Sequence, residues 1–179
     1  MSEDQNTGDN VVASDVPFEI LAQYVRDLSF ENPNATNVLR GDGDLPEMDI
    51  AIGMDARKIP ESKDDDIYEV VLNVRAEAKR ADLSVFVAEL QYGVTVKVGE
   101  GIPEESHHPF LLIEIPRLAF PFARQILSDM TVQGGFPPLL LNPVDFHQLY
   151  MQRFGKEIDE ARAEFDNELR DSVQGSAGQ

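Results

Sequence analysis

The sequence contains no cysteine. Disulfides, thiolate metal sites and cysteine nucleophiles are therefore excluded. Basic residues are scarce as well: 15 Lys and Arg stand against 33 Asp and Glu, a formal net charge of -18. A field of that sign repels phosphate backbones and anionic lipid, so nucleic acid and membrane surfaces are not expected partners. It favours basic partners and keeps a sticky protein soluble, and simple solubility is the blander account of the same charge. Long apolar runs are missing. The most apolar stretch, Pro109 to Ala123, is interrupted by Glu114, Pro116, Arg117 and Pro121, and no direct membrane insertion is expected. Met1 to Val16 is polar and acidic without an apolar h-region, so no signal peptide is expected and the cytoplasm is the expected compartment.

Catalytic patterns are missing too. There is no Walker sequence and no G-x-S-x-G elbow. His107 and His108 are adjacent and His147 is distant, without the spacing of a helical ligand pair; the first two read as surface residues. Asp64-Asp65-Asp66 lacks the remaining spacing of a calcium loop and reads as solvated charge. Gly134-Gly135 follows a helix, which suits a helix stop and not a phosphate cradle. The chain thus reads as a non-enzyme, with no cofactor and no metal of its own.

What is present is one change of period. Residues 17–171 read as one α+β domain between two tails, residues 1–16 and 172–179. Alternation up to about Val98 predicts four strands: Ile20 to Glu31, Pro46 to Ile59, Ile67 to Lys79, and Leu83 to Val98. Asn32-Pro33-Asn34 ends the first as a turn, and Arg80-Ala81-Asp82 is tight enough for a hairpin. Short connections favour an antiparallel sheet with helices packed on one face. Beyond Pro103 the pattern is helical. It predicts a short helix from Glu104 to Glu114 stopped by Pro116, another from Phe122 to Thr131, and a third from Val144 to Asp171. Phe136 to Pro143 reads as an apolar loop held by prolines.

Alternation fixes the faces. Tyr24, Leu28 and Phe30 are expected on the inner face, with Met48, Ile50, Ile52 and Met54, with Tyr68 to Ala76 at every second position, and with Phe86 to Val96 likewise. Val25, Val85, Val87 and Gln91 then turn outward, together with Asp27, Glu31, Glu47, Asp49, Asp55, Glu69 and Glu89. This acidic face is either a solvated surface or a docking patch for a basic partner. Apolar residues are in surplus between Phe110 and Leu141, more than one helical stripe can bury. Such a surplus usually becomes an oligomer interface or a binding groove.

Three segments, in this order and spacing, are similar to the SecB family of bacterial export chaperones. The first is Tyr24-Val25-Arg26-Asp27-Leu28-Ser29-Phe30-Glu31-Asn32-Pro33-Asn34. The second is Tyr68-Glu69-Val70-Val71-Leu72-Asn73-Val74 with Phe86-Val87-Ala88-Glu89-Leu90-Gln91. The third is Pro121-Phe122-Ala123-Arg124, then Gly134-Gly135-Phe136-Pro137-Pro138-Leu139 and Leu141-Asn142-Pro143-Val144-Asp145-Phe146. The resemblance covers roughly Pro17 to Phe154 and leaves the N-terminal tail and the last segment outside it.

It implies a homotetramer, a dimer of dimers, that holds unfolded precursor proteins without ATP and delivers them to the SecA motor. It implies docking of SecA's basic, zinc-bearing C-terminal segment on Asp27, Glu31 and Glu89, with Val87 beside them, the zinc belonging to SecA. Client binding carries over to Phe110, Phe120, Phe136 and Leu140. The tetramer interface is expected at Ala88, Leu90 and Tyr92 on the fourth strand and at Phe122 and Ile126 on the helix. An acidic scaffold or adaptor binding one folded basic partner is the alternative.

Overall fold

The structure is a computed structural model that describes residues 17–40, 46–60, 66–81 and 83–176, without the side chains of residue 161 and of those beyond 163. The expected tail over residues 1–16 lies outside the described residues, as do Asp64, Asp65 and residues 177–179. The elements are β1 (Phe18–Glu31), α1 (Ala35–Val38), β2 (Glu47–Lys58), β3 (Asp66–Arg80), β4 (Leu83–Val98), α2 (Glu104–Gln133) and α3 (Phe146–Ser176). The four strands form one antiparallel sheet in the order β1-β4-β3-β2. The core lies between its inner face and α2. Val70, Leu72, Val74, Leu90, Val94 and Val96 from the sheet meet Leu111, Ile115, Phe120 and Leu127 from the helix, with Phe146 and Tyr150 closing one end.

The fold class and strand number agree with the alternation, but β1 does not alternate cleanly. It carries bulges between Ile20 and Ala22 and between Val25 and Asp27. Each extra residue reverses which side chains face the core. Tyr24 therefore pairs with Gly93 and faces outward, not inward beside Leu28 and Phe30, and Val25 pairs with Tyr92 and faces inward. A third irregularity, between Ala78 and Lys79, leaves Val85 unpaired and turns it into the core at 1% exposure, against the outward expectation.

The largest departure is α2. One helix of 30 residues runs through Pro109, Pro116 and Pro121 where two were expected. An interior proline costs a helix about 3 kcal/mol. Burying Leu111, Leu112, Ile115, Phe120 and Leu127 against the sheet is worth about 1.5–3 kcal/mol each, so tertiary packing carries the helix across its prolines. Its end is as expected. Gly135 has φ 87, Gly135 N–H donates to Val132 O at 3.0 Å, and Phe136 N–H donates to Thr131 O at 3.0 Å, the bonding of a Schellman stop.

α3 starts on an Asp145 cap, whose Oδ1 accepts from Gln148 N–H at 2.9 Å. It continues through Ser172 to Ser176, residues expected in the loose C-terminal tail. His107 is no surface residue. It is 6% exposed, and its Nε2 donates to Ile102 O at 2.9 Å, which leaves Nδ1 to accept from the Tyr68 hydroxyl at 3.0 Å.

Candidate binding surfaces

The outer face of the sheet can be written row by row from the register, because directly paired residues share a face. Glu31, Val87, Glu77 and Asp49 form one row; Ser29, Glu89, Arg75 and Ala51 the next; Asp27, Gln91, Asn73 and Gly53 the third. The four residues expected to dock a basic partner, Asp27, Glu31, Val87 and Glu89, thus stand together on β1 and β4. Asp27 and Glu31 make no ion pair among the described residues. Glu89 accepts from Arg75 Nε at 2.9 Å. Glu77, absent from the expected set, sits beside Val87 and is held by Arg75 at 2.8 Å and Lys79 at 3.2 Å. The hydrogen bond from Arg75 holds its carboxyl below the usual carboxylate range. Small residues, Ala51 and Gly53, leave a depression of about 400 Å³ bordered by Asp27 and Glu89.

Two other outward carboxylates are already committed. Glu69 is 6% exposed. One of its oxygens accepts from the Tyr24 hydroxyl, and the other meets Arg57 Nε at 2.6 Å and Arg26 Nη1 at 3.5 Å. The Tyr24 bond, then the Arg57 bond, hold its carboxyl below the usual range, and the same bond pushes the Tyr24 hydroxyl up. Asp55 accepts from Asn73 Nδ2 at 3.1 Å and from Arg153 Nη2 at 3.0 Å. Composition alone cannot separate these neutralised carboxylates from the free ones, since the difference lies in which basic side chain crosses the strand.

The opposite side of the sheet is apolar and incompletely covered. α2 crosses β3 and β4 but leaves the start of β2 open, so Met48 and Ile50 face inward yet stay 40% and 37% exposed. Beside them lies a cavity of about 440 Å³ between Leu39, Met48, Phe86 and the Phe136–Leu140 segment. Phe136 packs on Phe86 at a centroid distance of 5.0 Å and on Phe30 at 6.3 Å. Leu140 is 68% exposed and also borders a second hollow, of about 430 Å³, with Phe120, Pro121 and Pro143. Thr131, fully buried, fastens this rim, its Oγ1 accepting from Leu139 N–H at 2.9 Å.

Of the expected client residues, Phe136, Leu140 and Phe120 share this side. Phe110 lies apart, packed on Phe18 at 5.2 Å. Of the expected interface residues, Ala88 and Leu90 are buried within the chain at 0% and 1% exposure and offer no surface. Tyr92 is 7% exposed beneath Phe122, with rings parallel within 5° and centroids 6.4 Å apart; Phe122 itself is 52% exposed, and Ile126 is partly buried. No helix among the described residues is long and apolar enough to cross a membrane.

Residues 12–157 match the family described as preprotein translocase subunit SecB. The chain belongs to the SecB family. Among its relatives are the protein-export protein SecB of Maricaulis maris, 47% identical over 87% of this chain and 88% of the relative, and that of Rhizobium johnstonii, 44% identical over 92% and 98%. The fold is shared with a solved Mycobacterium tuberculosis SecB-like chaperone, Rv1957, in complex with a ChAD peptide from the HigA1 antitoxin. The TM-score is 0.59 and the identity 14%, over 72% of this chain and 91% of that one. SecB proteins are chaperones and not enzymes, and a chaperone role in protein export comes with the membership.

Proposed function

We propose that the protein holds unfolded precursor chains in the apolar groove beside α2 and delivers them, in the cytoplasm and without nucleotide, to SecA docked on the acidic outer face. One observation carries this reading: the groove and the acidic face lie on opposite sides of a single sheet, so a client and a motor can be bound together. The groove suits a client because Met48, Ile50, Phe136 and Leu140 cover apolar side chains without demanding a sequence. The outer face suits a basic partner because Asp27 and Glu31 make no ion pair among the described residues and stand in a protein of net charge -18.

Assembly as a dimer of dimers needs two separate contact surfaces, and two candidates stand open among the described residues. One is the α2 ridge of Leu118, Phe122 and Val132. The other is the edge of β1, where Leu21 and Val25 are each 45% exposed. The interface expectation therefore passes from Ala88 and Leu90 to this ridge and edge, with Phe122 retained.

Binding of the Asp27→Lys, Glu31→Lys variant to SecA at low salt tests the docking. The expected result is a loss of about tenfold or more with client holding intact, and a wild-type affinity that falls as salt rises. Unchanged SecA binding would remove the acidic face from the reading.

A further inference from the structure

Beside the acid-bordered depression the outer face holds a second hollow, of about 190 Å³, lined by Arg26, Arg57, Asp55, Glu69, Asn73 and Gln91. Its charge runs against the rest of the protein. On its lining two guanidinium groups, of Arg26 and Arg57, balance two carboxylates, Glu69 and Asp55, and Arg153 reaches Asp55 from α3. Both oxygens of each carboxylate are engaged: Glu69 by Tyr24 on one oxygen and both arginines on the other, Asp55 by Asn73 and Arg153. The two lining arginines are only partly engaged. Arg57 spends Nε and Arg26 spends Nη1 on Glu69; neither makes another hydrogen bond among the described residues, and their side chains are 69% and 45% exposed. A guanidinium has five N–H donors, so each keeps donors free. They stand on strands at opposite edges of the sheet, tied by a common buried carboxylate, and are thus held in place before any partner arrives.

We infer that this hollow accepts a carboxylate side chain, Asp or Glu, carried by the same basic segment that docks on Asp27 and Glu89. The inference rests on the docking reading and deepens it. The two hollows share Asn73 and Gln91, so a segment lying across the face passes from one into the other. A free anion is repelled by the net charge of -18. A carboxylate tethered to basic residues is brought in by them and meets two arginine forks, the side chains best suited to it. The face thereby reads a pattern, base then acid, and not positive charge alone, which separates one basic partner from the many basic segments of unfolded clients.

The test uses the full chain and two lysine-rich peptides, acetylated and amidated so that neither has a terminal carboxylate, one carrying a single central Glu and the other Gln. Calorimetry at low salt is expected to show the Glu peptide binding about tenfold tighter than the Gln peptide, in line with one charge-assisted hydrogen-bonded pair. That preference should vanish in Arg26→Gln, Arg57→Gln and weaken in Arg26→Gln alone, which keeps the shorter Arg57–Glu69 contact and guards against a folding defect. Equal binding of the two peptides, weaker binding of the Glu peptide, or a preference that survives in the double variant overturns the inference while leaving the docking reading in place. Binding of neither peptide overturns both.

Discussion

The phenol ring of Tyr24 lies over Gly93: a methyl group at Gly93 would stand 2.6 Å from it. The glycine gives the ring passage across β4, so the hydroxyl of a β1 residue reaches Glu69 on β3, which Arg57 meets from β2. All four strands are thus linked on the outer face, at the stretch where the β1 bulges turn Tyr24 outward beside Asp27. Gly93→Ala should displace the ring and cost about 1–3 kcal/mol, the scale of a lost hydrogen bond to a buried charged group. Tyr24→Ala removes the obstacle, so the double variant should lose less than the two single losses together. Urea unfolding of the three variants measures the coupling.

The same contact makes stability depend on pH at both ends. Glu69 is held below its ordinary value of 4.5, first by the Tyr24 bond and then by Arg57. Its contribution is present above about pH 4.5 and is lost as pH falls through the depressed value. Tyr24 is raised above its ordinary 10.0 by the Glu69 bond, so its neutral form is favoured in the folded state and stability falls again as pH rises past about 10. Tyr24→Phe removes the bond that shifts both groups. Thermal melts across pH should show both limbs flatter in the variant than in the wild type, while equal limbs would separate the pH response from this pair.

Ala81, at the β3–β4 turn, holds φ at 51 without being glycine. The left-handed conformation costs a residue with a Cβ about 1–2 kcal/mol, and part of the gain from glycine is returned as unfolded-state entropy. Ala81→Gly should therefore stabilise by about 0.5–1 kcal/mol, read as a small rise in the melting temperature with client holding unchanged.

Much of this was legible in the sequence, and the exceptions have physical causes. Period-two alternation disclosed the strands because the sheet is half covered, and Gly134-Gly135 disclosed the end of α2 because a Schellman stop needs the left-handed position. The bulges at Leu21 and Arg26 were not legible: an inserted residue leaves no mark in composition, yet it exchanges Tyr24 for Val25 on the core face. The continuity of α2 through its prolines was hidden because local propensity opposes it and only the sheet beneath supports it. For the site, Asp27, Glu31, Val87 and Glu89 could be placed on one face by parity alone. The neutralisation of Glu69, the burial of Ala88 and Leu90, and the anchoring of the groove rim by Thr131 all depend on contacts between distant segments.

The two halves of the groove should respond differently to mutation. Phe136 is packed against both Phe30 and Phe86, so Phe136→Ala should cost about 2–4 kcal/mol of stability as well as client binding. Leu140 is 68% exposed, so Leu140→Ser should leave stability within about 0.5 kcal/mol and weaken client binding alone. Chemical denaturation paired with a client-binding titration distinguishes them.

On the proposed reading, an unfolded chain is held by the open apolar surface beside α2 through binding energy alone. The most direct measurement is light scattering from a denatured client diluted into buffer with a stoichiometric amount of the chaperone, with and without ATP. Aggregation should be suppressed, and ATP should not change the suppression. Met48→Gln with Leu140→Ser should lose much of the suppression, and Asp27→Lys with Glu31→Lys should keep it. Full suppression by the groove variant, or suppression that requires ATP, would rule out holding by the open apolar surface.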